Sequence, residues 1–125
     1  VASETAIRSY KDLEVWQKVM QLVEDCYRAT NGFPREEIYG LTAQIRRAAV
    51  SVPANIAEGY GRDQTGAFVQ FLRIAQGSTR ELETHLILSR RIGLLRGEIQ
   101  DGLLEECETI SKMLRSLIRS LEART

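Results

Sequence analysis

Arginine is the residue type in this chain best placed to act on a partner. Arg73, Arg80 and Arg91 are spaced so that, at about 100° per residue, they fall on nearly one line of a helix. Gln76 and Thr84 flank that line, and Arg90 and Arg96 carry the basic region onward. Lys112, Arg115 and Arg119 form a second outward cluster, with Glu105 and Glu108 earlier on the same face. A guanidinium donates paired hydrogen bonds from a planar fork, so such a line suits the phosphates of RNA or DNA. The competing reading is a solvated helix face.

The other chemically capable residues point away from catalysis. His85 follows Glu81 by four residues, so both share a helix face and a metal pair is geometrically possible. Di-metal bundles need several carboxylates and Glu-x-x-His units on different helices, and the chain has none, so His85 reads as a core-edge histidine. Cys26 and Cys107 have no zinc-ligand spacing. Gly59-Tyr60-Gly61 lacks the third glycine and the preceding strand of a dinucleotide loop. Glu58, beside that turn, reads as a helix-end carboxylate; an enzyme using Glu58 and His85 would need both in one pocket. No enzyme activity, metal or cofactor is expected.

Charge decides how far the arginines can reach. The 125 residues hold 17 Lys plus Arg and 17 Asp plus Glu, so no overall field attracts phosphate. Segment by segment the balance is −1 for residues 1–30, +1 for 31–62, +2 for 63–97 and −2 for 98–125. The basic segment holds five arginines against three carboxylates. Any phosphate affinity must therefore come from local arginines, multiplied by assembly.

The elements that would position these residues are helices. Apolar residues recur at steps of three and four, without a sustained period of two. Leu13, Trp16, Met20, Val23 and Tyr27 form a first seam, and Ile38, Leu41, Ile45, Ala48, Val52 and Ile56 a second. Phe71, Ala75, Ser78, Leu82, His85, Ser89 and Ile92 form a third, flanked by Phe68, Leu72 and Leu86. Leu103, Cys107, Ile110, Leu114, Leu117 and Leu121 form a fourth. Asn31-Gly32, Gly59-Tyr60-Gly61, and Gly93 with Gly97 punctuate the seams, with Pro34 suited to a first helical turn and Asp63 or Thr65 available as a cap. Helices over roughly 11–31, 35–58, 64–95 and 98–123, joined by short links, predict one all-α domain spanning 1–125. The architecture expected is an up-down-up-down antiparallel four-helix bundle. Pro53, inside the second seam, predicts a kink or break.

Length and composition agree with a soluble domain. Hydrophobic residues make up 43% and charged residues 27%, which argues against disorder. No apolar run approaches the roughly 18 residues of a membrane span. Val1 to Tyr10 has charges but no apolar stretch, so no signal peptide is expected, and two lone cysteines fit a reducing cytoplasm.

The first helix carries more apolar surface than a monomer needs. Val15, Val19, Leu22 and Cys26 form a second stripe beside its seam, making about half its circumference apolar. On the second helix Ala43, Val50 and Ala54 project opposite the seam, with Arg47 among them. These residues predict a homo-oligomer built through the first two helices.

Several segments carry a family resemblance. Leu13-Glu14-Val15-Trp16, Phe33-Pro34, Gln44-Ile45-Arg46-Arg47-Ala48 and Ser51-Val52-Pro53-Ala54-Asn55-Ile56-Ala57-Glu58-Gly59 occur in order, followed by Phe71 to Ser78 and Glu81-Leu82-Glu83. The chain resembles the bacterial four-helix-bundle proteins encoded in 23S rRNA intervening sequences, and is similar to the accessory variability proteins of diversity-generating retroelements. The resemblance implies a bundle assembling into a pentamer without known catalysis. For the retroelement proteins it implies a basic surface that binds nucleic acid and a reverse transcriptase. Among matched positions the cationic ones are Arg46, Arg47 and Arg73, and at Arg46, which flanks its seam, a structural ion pair with Glu58 or Glu81 competes with phosphate contact. The rival to nucleic-acid binding is a protein–protein interaction scaffold.

Overall fold

In the computed structural model, which describes residues 7–124, four helices follow one another: α1 (Glu14–Thr30), α2 (Leu41–Gly61), α3 (Thr65–Arg91) and α4 (Gly97–Ala123). No strand occurs among the described residues. Each helix packs against its two neighbours in the cyclic order α1–α2–α3–α4, and the backbones of the diagonal pairs do not approach closely. The α2–α3 contact is the most extensive. Short links enforce this up-down-up-down order, because a helix that must reverse within a few residues lands beside the one before it. Residues 1–6, which carry most of the sequence on which the signal-peptide expectation rests, lie outside the described residues. None of the described helices is long and apolar enough to cross a membrane.

The core is a single cluster in which Leu22, Ile45, Val52, Ile56, Leu72, Leu82, Leu86, Ile110 and Leu114 are essentially inaccessible. The second and fourth seams fall where periodicity puts them, although Ile38 is exposed and Ile118 joins the fourth. On α3 the buried line is Val69, Leu72, Ala75, Thr79, Leu82, Leu86 and Ser89, so Phe71 and His85 lie at its edge and Ile92 outside it.

Helix α1 corrects the sequence-based expectation. Val15, Val19, Leu22 and Cys26 do not form an oligomer surface: they are 5%, 0%, 0% and 0% exposed inside the monomer. The neighbouring stripe of Leu13, Trp16 and Val23 packs half-buried on the rim, while Tyr27 is exposed. The two stripes lie side by side, and α1 fills a corner between α2 and α4, so both are occupied. The wider aromatics suit the rim. Trp16 meets Tyr10 edge-on at 5.3 Å, and Tyr27 lies under the Arg46 guanidinium at 4.4 Å.

The boundaries also differ in detail. Arg35–Glu37 form a separate 3₁₀ turn capped by Pro34, and α2 starts only at Leu41. Asn31 is right-handed, whereas Asp63 takes the left-handed conformation (φ 58°) between α2 and α3. Gly93, at φ 86°, closes α3: its N–H bonds Arg90 O, and Leu94 N–H bonds Ser89 O at 2.8 Å. That pattern satisfies the last carbonyls and ends the helix at Arg91. Pro53 is buried inside α2, which runs past it without a break.

Candidate nucleic-acid interface

Helix α3 presents its arginines on the side turned away from its core line. Arg73 and Arg80 have side chains 52% and 54% exposed, and Arg91 is exposed in the last turn. At 1.5 Å per residue, Arg80 lies about 10 Å along the axis from Arg73, and Arg91 about 16 Å further. A groove between α3 and α4, about 360 Å³ in volume, is lined by Arg73, Gln76, Gly77, Arg80, Ser111 and Arg115. The structure thus brings Arg73 and Arg80 together with Arg115 of the second cluster, and leaves Arg91 outside the groove.

Carboxylates hold two of these guanidinium groups. Arg73 Nη2 donates to Glu122 Oε2 at 2.7 Å, tying α3 to α4. Arg80 Nη1 donates to Glu83 Oε1 at 2.9 Å, and that bond raises the already high pKa of Arg80. Each contact engages one nitrogen of a five-donor fork, so most donors remain available. Among the described residues Arg115 has no ion pair.

Arg46 is turned inward and belongs to the scaffold. Its Nε donates to Thr30 Oγ1 at 2.9 Å, and its Nη2 to Asn31 Oδ1 at 3.1 Å and Tyr27 O at 3.4 Å. It caps the carbonyl end of α1, where cationic charge is favoured by the helix dipole. The expected role in nucleic-acid contact gives way to this one. Arg47, one residue on and about 100° round the helix, is exposed.

The remaining candidates are structural in their surroundings. His85 sits at the core edge with Nε2 3.3 Å from Glu81 Oε2, and Glu58 pairs with Arg62 at 2.9 Å. Burial pushes the Cys26 thiol up to about 12 and raises Cys107 further, so both stay protonated. Among the described residues no group of three or more His, Cys, Asp or Glu could hold a metal ion. Ala54 and Val50 are exposed and Ala43 half-buried on the outer side of α2.

The Ser51–Gly59 segment builds the α2–α3 contact. Ser51 and Ser78 share a hydrogen bond of 2.8 Å, while Asn55 Nδ2 donates to Ser51 O and Ser51 Oγ at 2.8 and 3.0 Å. A Cβ at Gly59 would stand 2.6 Å from Phe71 Cβ. Sequence reasoning missed Ser111, which lines the groove. Its position four residues after Cys107 and three before Leu114, on a buried seam, was the available signal.

Fold and site define an all-α, four-helix-bundle protein with an arginine-bearing outer surface. Residues 11–116 match the family of 23S rRNA-intervening sequence proteins, and the chain belongs to that family. Its fold is shared by a protein of unknown function from Bacteroides thetaiotaomicron, of the S23 ribosomal protein family. The two superpose with a TM-score of 0.75 at 24% identity, over 83% of this chain and 97% of that one. A comparison with curated proteins finds no match.

Proposed function

We propose that this chain is a non-enzymatic RNA-binding bundle that works as a homo-oligomer, gripping phosphates through its α3 and α4 arginines. The observation that carries this reading is the convergence of Arg73, Arg80 and Arg115 on one groove between two helices. Membership of a family named for ribosomal RNA intervening sequences supports RNA as the polymer. A neutral monomer offers few phosphate contacts, and several copies around a ring multiply them. Small or apolar exposed residues on α2 (Val50, Ala54), and exposed Ile74 and Leu88 on α3 with Ile92 just past its end, suit the subunit contacts. A pentamer follows from the family resemblance.

Titration of a structured RNA at about 50 mM salt tests the reading, because phosphate contacts are strongest there. Binding is expected to weaken steeply with salt, and Arg73→Ala or Arg80→Ala to weaken it for every RNA sequence alike. Absence of RNA and DNA binding at that salt sinks the proposal. Light scattering that gives a monomer mass at micromolar concentration sinks its oligomeric part. The exposed apolar residues of α3 favour one second reading, a protein-interaction scaffold. Retention of a protein partner after nuclease treatment, without RNA affinity, would establish it. A reverse transcriptase is the partner class that the retroelement resemblance suggests.

A further inference from the structure

Ser111 is the one buried side-chain oxygen without a hydrogen-bond partner among the described residues. It is 6% exposed. Three other buried hydroxyl residues behave differently. Thr30, Thr79 and Ser89 each donate to the carbonyl four residues back, at 2.8, 2.9 and 2.8 Å. Ser111 makes no such bond to Cys107, although the helix offers it. A buried donor left unsatisfied is costly, and its hydrogen is free to rotate.

Ser111 belongs to the lining of the α3–α4 groove, with Arg73 and Arg80 on one wall and Arg115 on the other, and its Oγ lies just beneath that surface, closed to solvent. Gly77, also in the lining, has nothing within 4 Å of where a Cβ would stand. The surrounding charges are three guanidinium groups and Lys112 against three carboxylates, Glu122 on Arg73, Glu83 on Arg80, and Glu108, which pairs with Lys112 and acts on Arg80. The local excess is positive, and the groove's 360 Å³ is at the small end of ligand sites.

We infer that this groove is a seat for one phosphate group, with Arg115, Arg73 and Arg80 supplying charge-assisted donors and the Ser111 hydroxyl uncovered at the floor as those side chains shift onto the anion. On the proposed function, on which this assignment of source rests, the phosphate is a diester of the RNA backbone. A free phosphate or phosphate monoester presents the same oxygens. Glu122 and Glu83 hold two of the arginines at the rim until the anion arrives, and each guanidinium keeps nitrogens free for it.

The test follows the backbone amide signals of Gly77 and Ser111 by NMR, with inorganic phosphate and then with an RNA hairpin at about 50 mM salt. Both ligands are expected to shift these signals. Arg115→Ala is expected to weaken phosphate binding roughly tenfold, and Ser111→Ala about three- to tenfold. Arg28→Ala, which removes the same charge on α1 beside Glu24 and Asp25, is expected to leave the seat intact. Ser111→Ala should fold at least as well as the parent, so a loss of binding there reports the seat.

Silence of both amides towards both ligands overturns the seat, as does undiminished phosphate affinity in Ser111→Ala. RNA binding with silent groove amides also overturns it, while leaving the RNA-binding reading standing. Phosphate binding in the groove without RNA binding removes the RNA reading and assigns the seat to a small phosphate compound.

Discussion

Helix α3 is packed in two different manners on its two flanks. Towards α2, polar groups close on one another: Ser51 with Ser78, and Asn55 on Ser51, with Gly59 pressed against Phe71 and Phe68. Towards α4, Arg73 and Arg80 reach out to surface carboxylates, Gly77 faces open space and Ser111 has no partner. One flank spends its polar groups on the fold; the other keeps them in reserve. The most family-like run of sequence lies on the spent flank, so the most recognisable residues are the ones that hold the bundle together.

The two glycines sharpen this contrast most. Gly59→Ala places a methyl 2.6 Å from Phe71 Cβ, where no flexible side-chain end can give way. The expected cost is about 2–3 kcal/mol, read as a drop in Tm on the order of 10 °C. Gly77→Ala meets nothing, and is expected to raise stability by about 0.5–1 kcal/mol through helix propensity. Equal effects at the two sites would break the comparison.

Arg46 extends the closed region to α1. Arg46→Ala removes donors to Thr30, Asn31 and Tyr27 O, and is expected to cost about 1–2 kcal/mol in urea unfolding, with RNA affinity little changed. A selective loss of RNA affinity with stability intact would return Arg46 to the binding surface.

The serines differ by a smaller amount and in sign. Ser51→Ala leaves the Ser78 hydroxyl without its partner and removes one of the two Asn55 bonds, the one to Ser51 O surviving, and is expected to destabilise by about 1 kcal/mol. Ser111→Ala removes an unsatisfied donor and is expected to be neutral or stabilising by about 1 kcal/mol, again by urea unfolding.

The smallest effect is a pH dependence on the other side of α4. Glu106 is raised to about 7 by burial, then by its hydrogen bond to Asp25 and that residue's charge, with Lys18 opposing. The folded state therefore holds this proton more tightly than the unfolded chain. The associated stability is complete below about pH 4.5 and is lost as pH rises through about 7. The side chain is half-buried and still reached by solvent, so screening reduces the change to about 0.5 kcal/mol or less. Thermal melts of Glu106→Gln should lack this component, and an unchanged profile would discard it.

Legibility in the sequence tracked how local each property is. The steps of three and four made four helices readable, and the positions of Ile45, Val52, Leu103 and Leu114 on their buried faces followed. The arginine line of α3 was readable in the same manner, since every member shares one helix. Its meeting with Arg115 was not, because residues on two helices share a groove only after the helices dock. Helix α1 was ambiguous for a related reason. Periodicity shows that two adjacent stripes are apolar, but not which one points to the bundle axis.

What the sequence by itself determined is therefore angular and local: the number of helices, the polar side of each, and the short links that make neighbours antiparallel. The tertiary structure decided the rest. It put Val19, Leu22 and Cys26 at the centre and Tyr27 at the rim, carried α2 past Pro53, turned Arg46 onto the end of α1, and left Ser111 facing three arginines without a bond. Each of these depends on what a neighbouring helix places opposite a side chain, and that information exists only once the four helices are packed.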